Sequence, residues 1–184
     1  NGEPLNHYAA GIRLVSRLPE PPVYAKADFE VTKTIDGGQL YRDGTLFHGP
    51  NFQGIERVIN LNDHRLTVEC RLPEVAVRDQ GQFRVGTFNP YAADVQFQCM
   101  LVWVRHCLDA ASLPAEARVA EHYVPVPAGR KFYVSLSVKN NSSASMTADI
   151  ISHDRDGRVY SRIKDAKVII SKQLDLLFSK AGKR

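Results

Sequence analysis

A carboxylate and an amide four residues apart, Asp94 and Gln98, stand in a largely apolar run that continues through Cys99-Met100-Leu101-Val102-Trp103-Val104. On a helix, positions i and i+4 share a face, so the two side chains meet near its N-terminal end, with Arg105 further along the same face. An acid in such a setting has two readings. At a solvent-exposed mouth or in a low-dielectric cavity it can hold a proton and give it up, because burial favours the neutral carboxyl. In a first helical turn it merely interacts well with the helix dipole. Spacing alone leaves both open. His48 lies in Leu46-Phe47-His48-Gly49-Pro50-Asn51-Phe52-Gln53, a Gly-Pro turn flanked by aromatics where a histidine is usually structural. His106 and Cys99 are seven apart and share a helix face, but no third group is in view to orient a Cys–His pair, so Cys99 reads as a core thiol. His7 opens an H-x-x-x-G match without a following helix, and His64, His122 and His153 fall in turns or at strand ends. No pair has metal-ligand spacing, so no metal site is expected. G-x-S-x-G, Walker and dinucleotide glycine motifs are missing as well, and no phosphate cradle is encoded.

The element that must hold Asp94 and Gln98 begins at Asn89-Pro90, an N-cap residue followed by proline at the first helical position. About twenty residues without a breaker predict a helix over about 90–110. Its centre is apolar on every side, which places it inside the molecule with something wrapped around it. Strands are expected on both flanks. Ile12–Val15 and Phe29–Thr32 carry β-branched residues without helical spacing, with a loop at Pro19-Glu20-Pro21-Pro22 between them. Gly54–Ile59 and Leu66–Leu72 form a hairpin across Asn60–Asp63, and the strict alternation of the second run predicts one buried face. Four more extended runs follow Leu113-Pro114: His122–Val126, Phe132–Val138, Thr147–His153 and Val159–Ile170. They are bounded by Pro127-Ala128-Gly129, Asn140-Asn141-Ser142-Ser143 and Asp154-Arg155-Asp156-Gly157. The amphipathic stretch Ile169–Phe178 would add a short terminal helix. Strands, one enclosed helix, then strands again make an α+β fold in which a curved antiparallel sheet wraps a single long helix, the hot-dog architecture.

Composition agrees with one such domain over residues 1–184, in which 1–40 is a less regular extended segment. The chain has 184 residues, 43% hydrophobic and 24% charged, with 12 glycines and 10 prolines, which excludes disordered and collagen-like classes. No apolar run approaches about 18 residues and Asn1-Gly2-Glu3-Pro4 lacks a signal-peptide layout, so a cytoplasmic setting without a membrane span is expected. A start at Asn rather than Met suggests a piece of a longer polypeptide. Cys70, Cys99 and Cys107 show no C-x-x-C spacing, so neither a disulfide framework nor a zinc knuckle is expected. The net charge of +4 is scattered except at Lys180, Lys183 and Arg184, which argues against nucleic acid and suits an acidic protein partner equally well.

With these residues in view, the sequence resembles the dehydratase domains of modular polyketide and polyunsaturated fatty acid synthases, specifically their C-terminal hot dog. Leu40-Tyr41 and Gly44 through Gln53 look like the family's L-x-Y-G-P-x-F-Q signature, and Asn89-Pro90-Tyr91-Ala92-Ala93-Asp94-Val95-Gln96-Phe97-Gln98 looks like its H-P-x-x-x-D-x-x-x-Q helix start. Two positions depart from the pattern: His48 stands where the signature has Tyr, and Asn89 where the helix motif has His. The wording of Asn89–Arg105 and the Ile170–Leu174 ending look most like the multidomain component of a polyunsaturated fatty acid synthase. The resemblance implies dehydration of a β-hydroxyacyl thioester on acyl carrier protein, giving a trans-enoyl product with no cofactor. It implies that Asp94 is the general acid and Gln98 the residue that orients it, while His48, Gly49, Pro50 and Phe52, with Tyr91, line the acyl site. The family's base is a histidine in the first hot dog, so the partner implied is an upstream half or a second copy, as dimer or pseudo-dimer. Two other readings remain: a non-catalytic dehydratase-like hot dog that binds acyl chains or scaffolds the synthase, and hot-dog thioesterase or isomerase chemistry, which also uses an acidic helix residue.

Overall fold

A computed structural model describes residues 8–80 and 88–174. Among the described residues seven antiparallel strands form one sheet: β1 Ile35–Asp36, β2 Ile55–Leu61, β3 Arg65–Arg71, β4 Ser112–His122, β5 Lys131–Asn141, β6 Ser145–His153 and β7 Val159–Ile170. Their order is β1-β2-β3-β5-β6-β7-β4. Helix α1, Gly37–Arg42, follows β1, and helix α2, Pro90–Leu108, connects β3 to β4 at the far edge of the sheet. The chain therefore crosses the sheet face inside α2, which packs against β3, β4, β5, β6 and β7.

The start of α2 follows from its first two residues: Asn89 accepts hydrogen bonds from the N–H groups of Tyr91 and Ala92, and Pro90 needs no N–H partner. It stops at Asp109, which takes the left-handed conformation at φ 49°. Cys99 through Val104 are all buried, because the sheet curls around them with Leu66, Val68, Phe132, Val134, Leu136, Met146, Ile150 and Val168. The apolar all-round pattern is thus explained by enclosure. Trp103 sits at its centre and donates its indole N–H to the Asn62 carbonyl in the β2–β3 turn at 2.9 Å.

Four strand expectations are corrected. No strand forms at 12–15 or 29–32; this stretch makes a β-bridge at Val23–Arg158, and the Thr32 and Lys33 N–H groups donate to the Ile59 carbonyl without building a ladder. The Asp28 carboxylate accepts from the Glu30 N–H, a local turn that competes with strand pairing. The strand expected at His122–Val126 instead runs over Ser112–His122. It includes Pro114 because β4 is an edge strand with a bulge between Pro114 and Glu116, where a missing N–H costs no ladder bond. The strand β3 is buried on both faces. Its outward residues Thr67 and Glu69 are covered, and Asn60 on the neighbouring strand donates to the Asp28 carboxylate and the Glu30 carbonyl of the N-terminal segment. Of the expected terminal helix, residues 172–174 are helical, while 175–178 lie outside the described residues, as does His7.

The same outer face holds His153, fully buried beside Tyr24, Phe29 and Tyr133. Its Nδ1 faces the Asp154 carbonyl at 2.7 Å and so carries the hydrogen, which leaves Nε2 to accept from the Ser135 hydroxyl at 2.9 Å. Burial holds the His153 pKa below that of an ordinary histidine. Between that depressed value and about 6.5 the unfolded chain binds more protons than the folded one, so stability falls as pH drops through this window. The thermal midpoint is accordingly expected to be lower at pH 5 than at pH 7.5. His153→Gln should shrink that gap without abolishing it, because burial shifts His48, His106 and His122 in the same direction. An equal gap in the variant would show that His153 is not a source of the acid sensitivity.

Helix α1 packs without clearance on β2. A Cβ at Gly37 would lie 1.9 Å from the Ile55 carbonyl oxygen, which is backbone and cannot swing aside. Gly37→Ala should therefore cost about 1–3 kcal/mol, the usual range for overpacking, seen as a lower denaturant midpoint at an unchanged slope.

Candidate functional site

Two short pieces of chain bring the site residues to the first turns of α2. Helix α1 is capped by Asp36, whose carboxylate accepts from the Gln39 N–H, and it carries Tyr41. The following loop is fixed by the Leu46 N–H on the Leu40 carbonyl and by the Gln53 amide on the His48 carbonyl at 3.0 Å. It closes in a single 3-10 turn, Pro50–Phe52, with proline at its start. Asp94 is the fifth residue of α2, beyond the first turn. The dipole reading therefore loses its ground, since that effect falls off within the first turn.

Asp94 and Gln98 meet as the spacing predicts: Gln98 Nε2 donates to Asp94 Oδ2 at 2.7 Å. The same amide nitrogen donates to the Phe52 carbonyl at 2.8 Å, and Gln98 Oε1 accepts from the Tyr41 hydroxyl at 2.8 Å. Tyr41 in turn accepts from the Ile55 N–H at 3.1 Å. His48 Nε2 lies 3.3 Å from Asp94 Oδ2, although the two residues are 46 apart in sequence. Its ring stacks on Phe47 with centroids 4.6 Å apart, and its Nδ1 is buried with no hydrogen-bond partner among the described residues. Phe52 and Tyr91 are in ring contact at 4.8 Å. A Cβ at Gly49 would meet nothing within 4 Å, so the turn faces open space there. Arg105, eleven residues on, is about 16 Å along the helix from Asp94 and takes no part.

The electrostatics follow burial. The Asp94 side chain is 33% exposed and sits at the mouth of the helix–sheet core, whereas that of His48 is 13% exposed. Desolvation pushes the His48 pKa down and outweighs the pull of the adjacent carboxylate, so its imidazole is neutral at pH 7. Burial likewise pushes the Tyr41 phenol far above its usual value, so it remains a hydroxyl donor throughout the working pH range. The arrangement can hold one carboxyl group in a fixed pose, with an amide and an imidazole beside one oxygen and an aromatic pair nearby. Among the described residues no cluster of three or more His, Cys, Asp or Glu could hold a metal ion.

Sequence reading finds Asp94, Gln98 and the 48–52 turn but misses two relations. Tyr41 appears there only as part of a motif, and His48 only as lining. The signal for Tyr41 is its place three residues before Gly44 in a segment ending in Gly-Pro; nothing local signals the His48–Asp94 contact, which depends on how the loop returns to α2.

Residues 20–174 match the family described as polyketide synthase dehydratase N-terminal domain. The chain belongs to that family. Over 99 residues, 53% of this chain, it is 36% identical to a polyunsaturated fatty acid synthase polypeptide of Thraustochytrium sp., of which it spans 4%. Among solved structures, a dehydratase domain of a trans-AT polyketide synthase from Brevibacillus brevis superposes at TM-score 0.64 and 17% identity, covering 84% of this chain and 55% of that one. The dehydratase domain of PpsC from Mycobacterium tuberculosis, solved with C12:1-CoA, superposes at TM-score 0.60 and 18% identity, covering 81% and 56%. These likenesses establish the hot-dog fold. The chain spans about half the length of the solved dehydratase domains it matches. No helix among the described residues is long and apolar enough to cross a membrane.

Proposed function

We propose that this dehydratase-family chain is the aspartate-bearing half of a β-hydroxyacyl-[acyl carrier protein] dehydratase in a polyketide or polyunsaturated fatty acid synthase, with Asp94 as general acid. The observation that carries this reading is the Gln98 amide bonded to Asp94 Oδ2 at the mouth of the core, beside the Phe52–Tyr91 pair. In the reaction a base takes the α-proton of the acyl chain, the electron pair forms the Cα–Cβ double bond, and the Cβ–O bond breaks. Asp94 gives its proton to the departing hydroxyl, so that water and a trans-enoyl thioester leave. The next cycle needs Asp94 reprotonated and the base relieved of its proton.

The base is not supplied by His48. Its Nε2 faces Asp94 and its Nδ1 is enclosed, so neither nitrogen is placed to reach an α-carbon. We therefore assign the base to an upstream histidine-bearing hot dog or a second copy of the fold. The roughly half-length coverage of the solved dehydratases supports this; the C12:1-CoA bound to the Mycobacterium domain, an acyl thioester, supports the substrate class of the reading. His48, Gly49, Pro50, Phe52 and Tyr91 would line the acyl channel, and an acidic carrier protein suits the net charge of +4.

Mass spectrometry of β-hydroxyacyl carrier protein tests the reading. The expected result is loss of water with this chain joined to its native upstream region and none with the chain alone. No water loss in either, with the acyl carrier still bound, would favour an acyl-binding scaffold; hydrolysed or isomerised product would assign the site to another thioester chemistry.

A further inference from the structure

We propose that Tyr41 is a positioning residue for Asp94: its hydroxyl commits the Gln98 amide to one orientation, with the nitrogen on Asp94 Oδ2, and so leaves Oδ1 as the oxygen that carries the transferable proton. This rests on the general-acid reading. The argument is one of donors and acceptors. The Ile55 N–H donates to the Tyr41 oxygen at 3.1 Å, so the single phenolic hydrogen is free for Gln98 Oε1 at 2.8 Å. With Oε1 occupied, the amide nitrogen faces both the Phe52 carbonyl and Asp94 Oδ2. A flipped amide would set Oε1 against these two acceptors at 2.7–2.8 Å, with no hydrogen between them. Gln98 is 1% exposed, so no solvent compensates for such a flip.

The consequence reaches the acid itself. Oδ2 accepts from Gln98 and lies 3.3 Å from His48 Nε2, whereas Oδ1 makes no hydrogen bond among the described residues. A hydrogen on Oδ2 would point to His48 Nε2, 3.3 Å away, because the other side of that oxygen is taken by the Gln98 amide. The hydrogen that can pass to a substrate hydroxyl is therefore one on Oδ1, the oxygen that neither residue occupies. Without the Tyr41 donor, Gln98 Oε1 is left buried and unpartnered, so the amide is held from its nitrogen end alone, and the Ile55 N–H loses its acceptor. Tyr41 thus acts through Gln98 and touches no reacting atom.

The test compares Tyr41→Phe, Gln98→Ala and the double variant, each in the polypeptide that shows dehydration. Tyr41→Phe should lower kcat about 10–100-fold, as does loss of an outer-shell partner that orients a functional ligand, with KM within about twofold. In the double variant, Tyr41→Phe should add less than about twofold, because both act along one path. A raised KM at constant kcat, or effects that multiply, would overturn the proposal. If Tyr41→Phe does not fold, the Gln98 carboxamide signals of the unsubstituted chain decide. Carboxamide N–H resonances that stay protected from exchange with water from pH 5 to 9 support a locked amide, and exchange as fast as that of an exposed glutamine overturns it. Failure of the general-acid reading is seen separately, as unimpaired turnover by Asp94→Asn, which leaves the amide resonances informative.

Discussion

Asp94→Asn should slow water loss from β-hydroxyacyl carrier protein about 10²–10⁴-fold, the range for removing a positioned general acid. At 1.36 kcal/mol per decade this is about 3–5 kcal/mol of transition-state stabilisation. The substitution is chosen for what it preserves. Asparagine has the shape of aspartate, and its carbonyl can still accept from Gln98 Nε2, now 2.7 Å from Asp94 Oδ2. What it lacks is a hydrogen it can give up. The loss should fall on kcat with KM little changed, since on the proposed reading the 48–52 turn and Tyr91 would hold the acyl chain. A site one-third open to solvent also gives little reason for the fold to suffer, so thermal unfolding should match the parent. Turnover within a few-fold of the parent would remove Asp94 from the acid role. The comparison is made in the polypeptide that contains the base, because His48 offers none.

How much of this is legible from residues alone varies with how local the determinant is. Helix α2 is readable because its start is chemical, Asn89 then Pro90, and its length exceeds that of a strand. The Asp94–Gln98 bond is readable for the same reason, being set by helical spacing. The β2–β3 hairpin and the boundaries of β7 are likewise local. β4 is not: an exposed edge strand, Ser-Leu-Pro-Ala-Glu-Ala-Arg-Val-Ala-Glu-His, has no buried face to impose alternation, and its proline suggests a break. Ile12–Val15 fails in the opposite sense, with β-branched residues that find no strand partner. Glu69 is paired with Arg57 and Lys131 and Thr67 meets Ser135, partners on the two neighbouring strands, so no pattern within β3 could announce their burial. Within the site, the contact of His48 with Asp94 and the Tyr41–Gln98–Asp94 chain are set by the loop between α1 and β2. Its path is decided by the Leu46 N–H on the Leu40 carbonyl and the Gln53 side-chain amide on the His48 carbonyl.

Trp103→Ala should destabilise the fold by about 3–5 kcal/mol, the range for deleting a large buried aromatic, which in a chain of this size lowers the thermal midpoint by roughly 6–20 °C. Trp103 is 1% exposed and stands where α2 is surrounded by the sheet. Its removal leaves a cavity that the surrounding strands cannot readily collapse into, because they are held in one continuous ladder. It also takes the indole N–H from the Asn62 carbonyl, in the turn whose Asn62 side chain accepts from the His64 and Arg65 N–H groups. Trp103→Phe is the milder change: a smaller aromatic ring stays, part of the cavity and the lost hydrogen bond remain, and the expected cost is about 2–3 kcal/mol. The position also tests whether stability and chemistry are independent on one helix. Trp103 lies nine residues from Asp94, about 14 Å along the axis, and shares none of the partners of Gln98. Trp103→Phe should therefore lower the denaturant midpoint while leaving kcat of the folded protein within about twofold. A fall in kcat as large as that of Tyr41→Phe would mean that the seating of α2 in the sheet, rather than the Tyr41–Gln98 bond, sets the pose of Asp94.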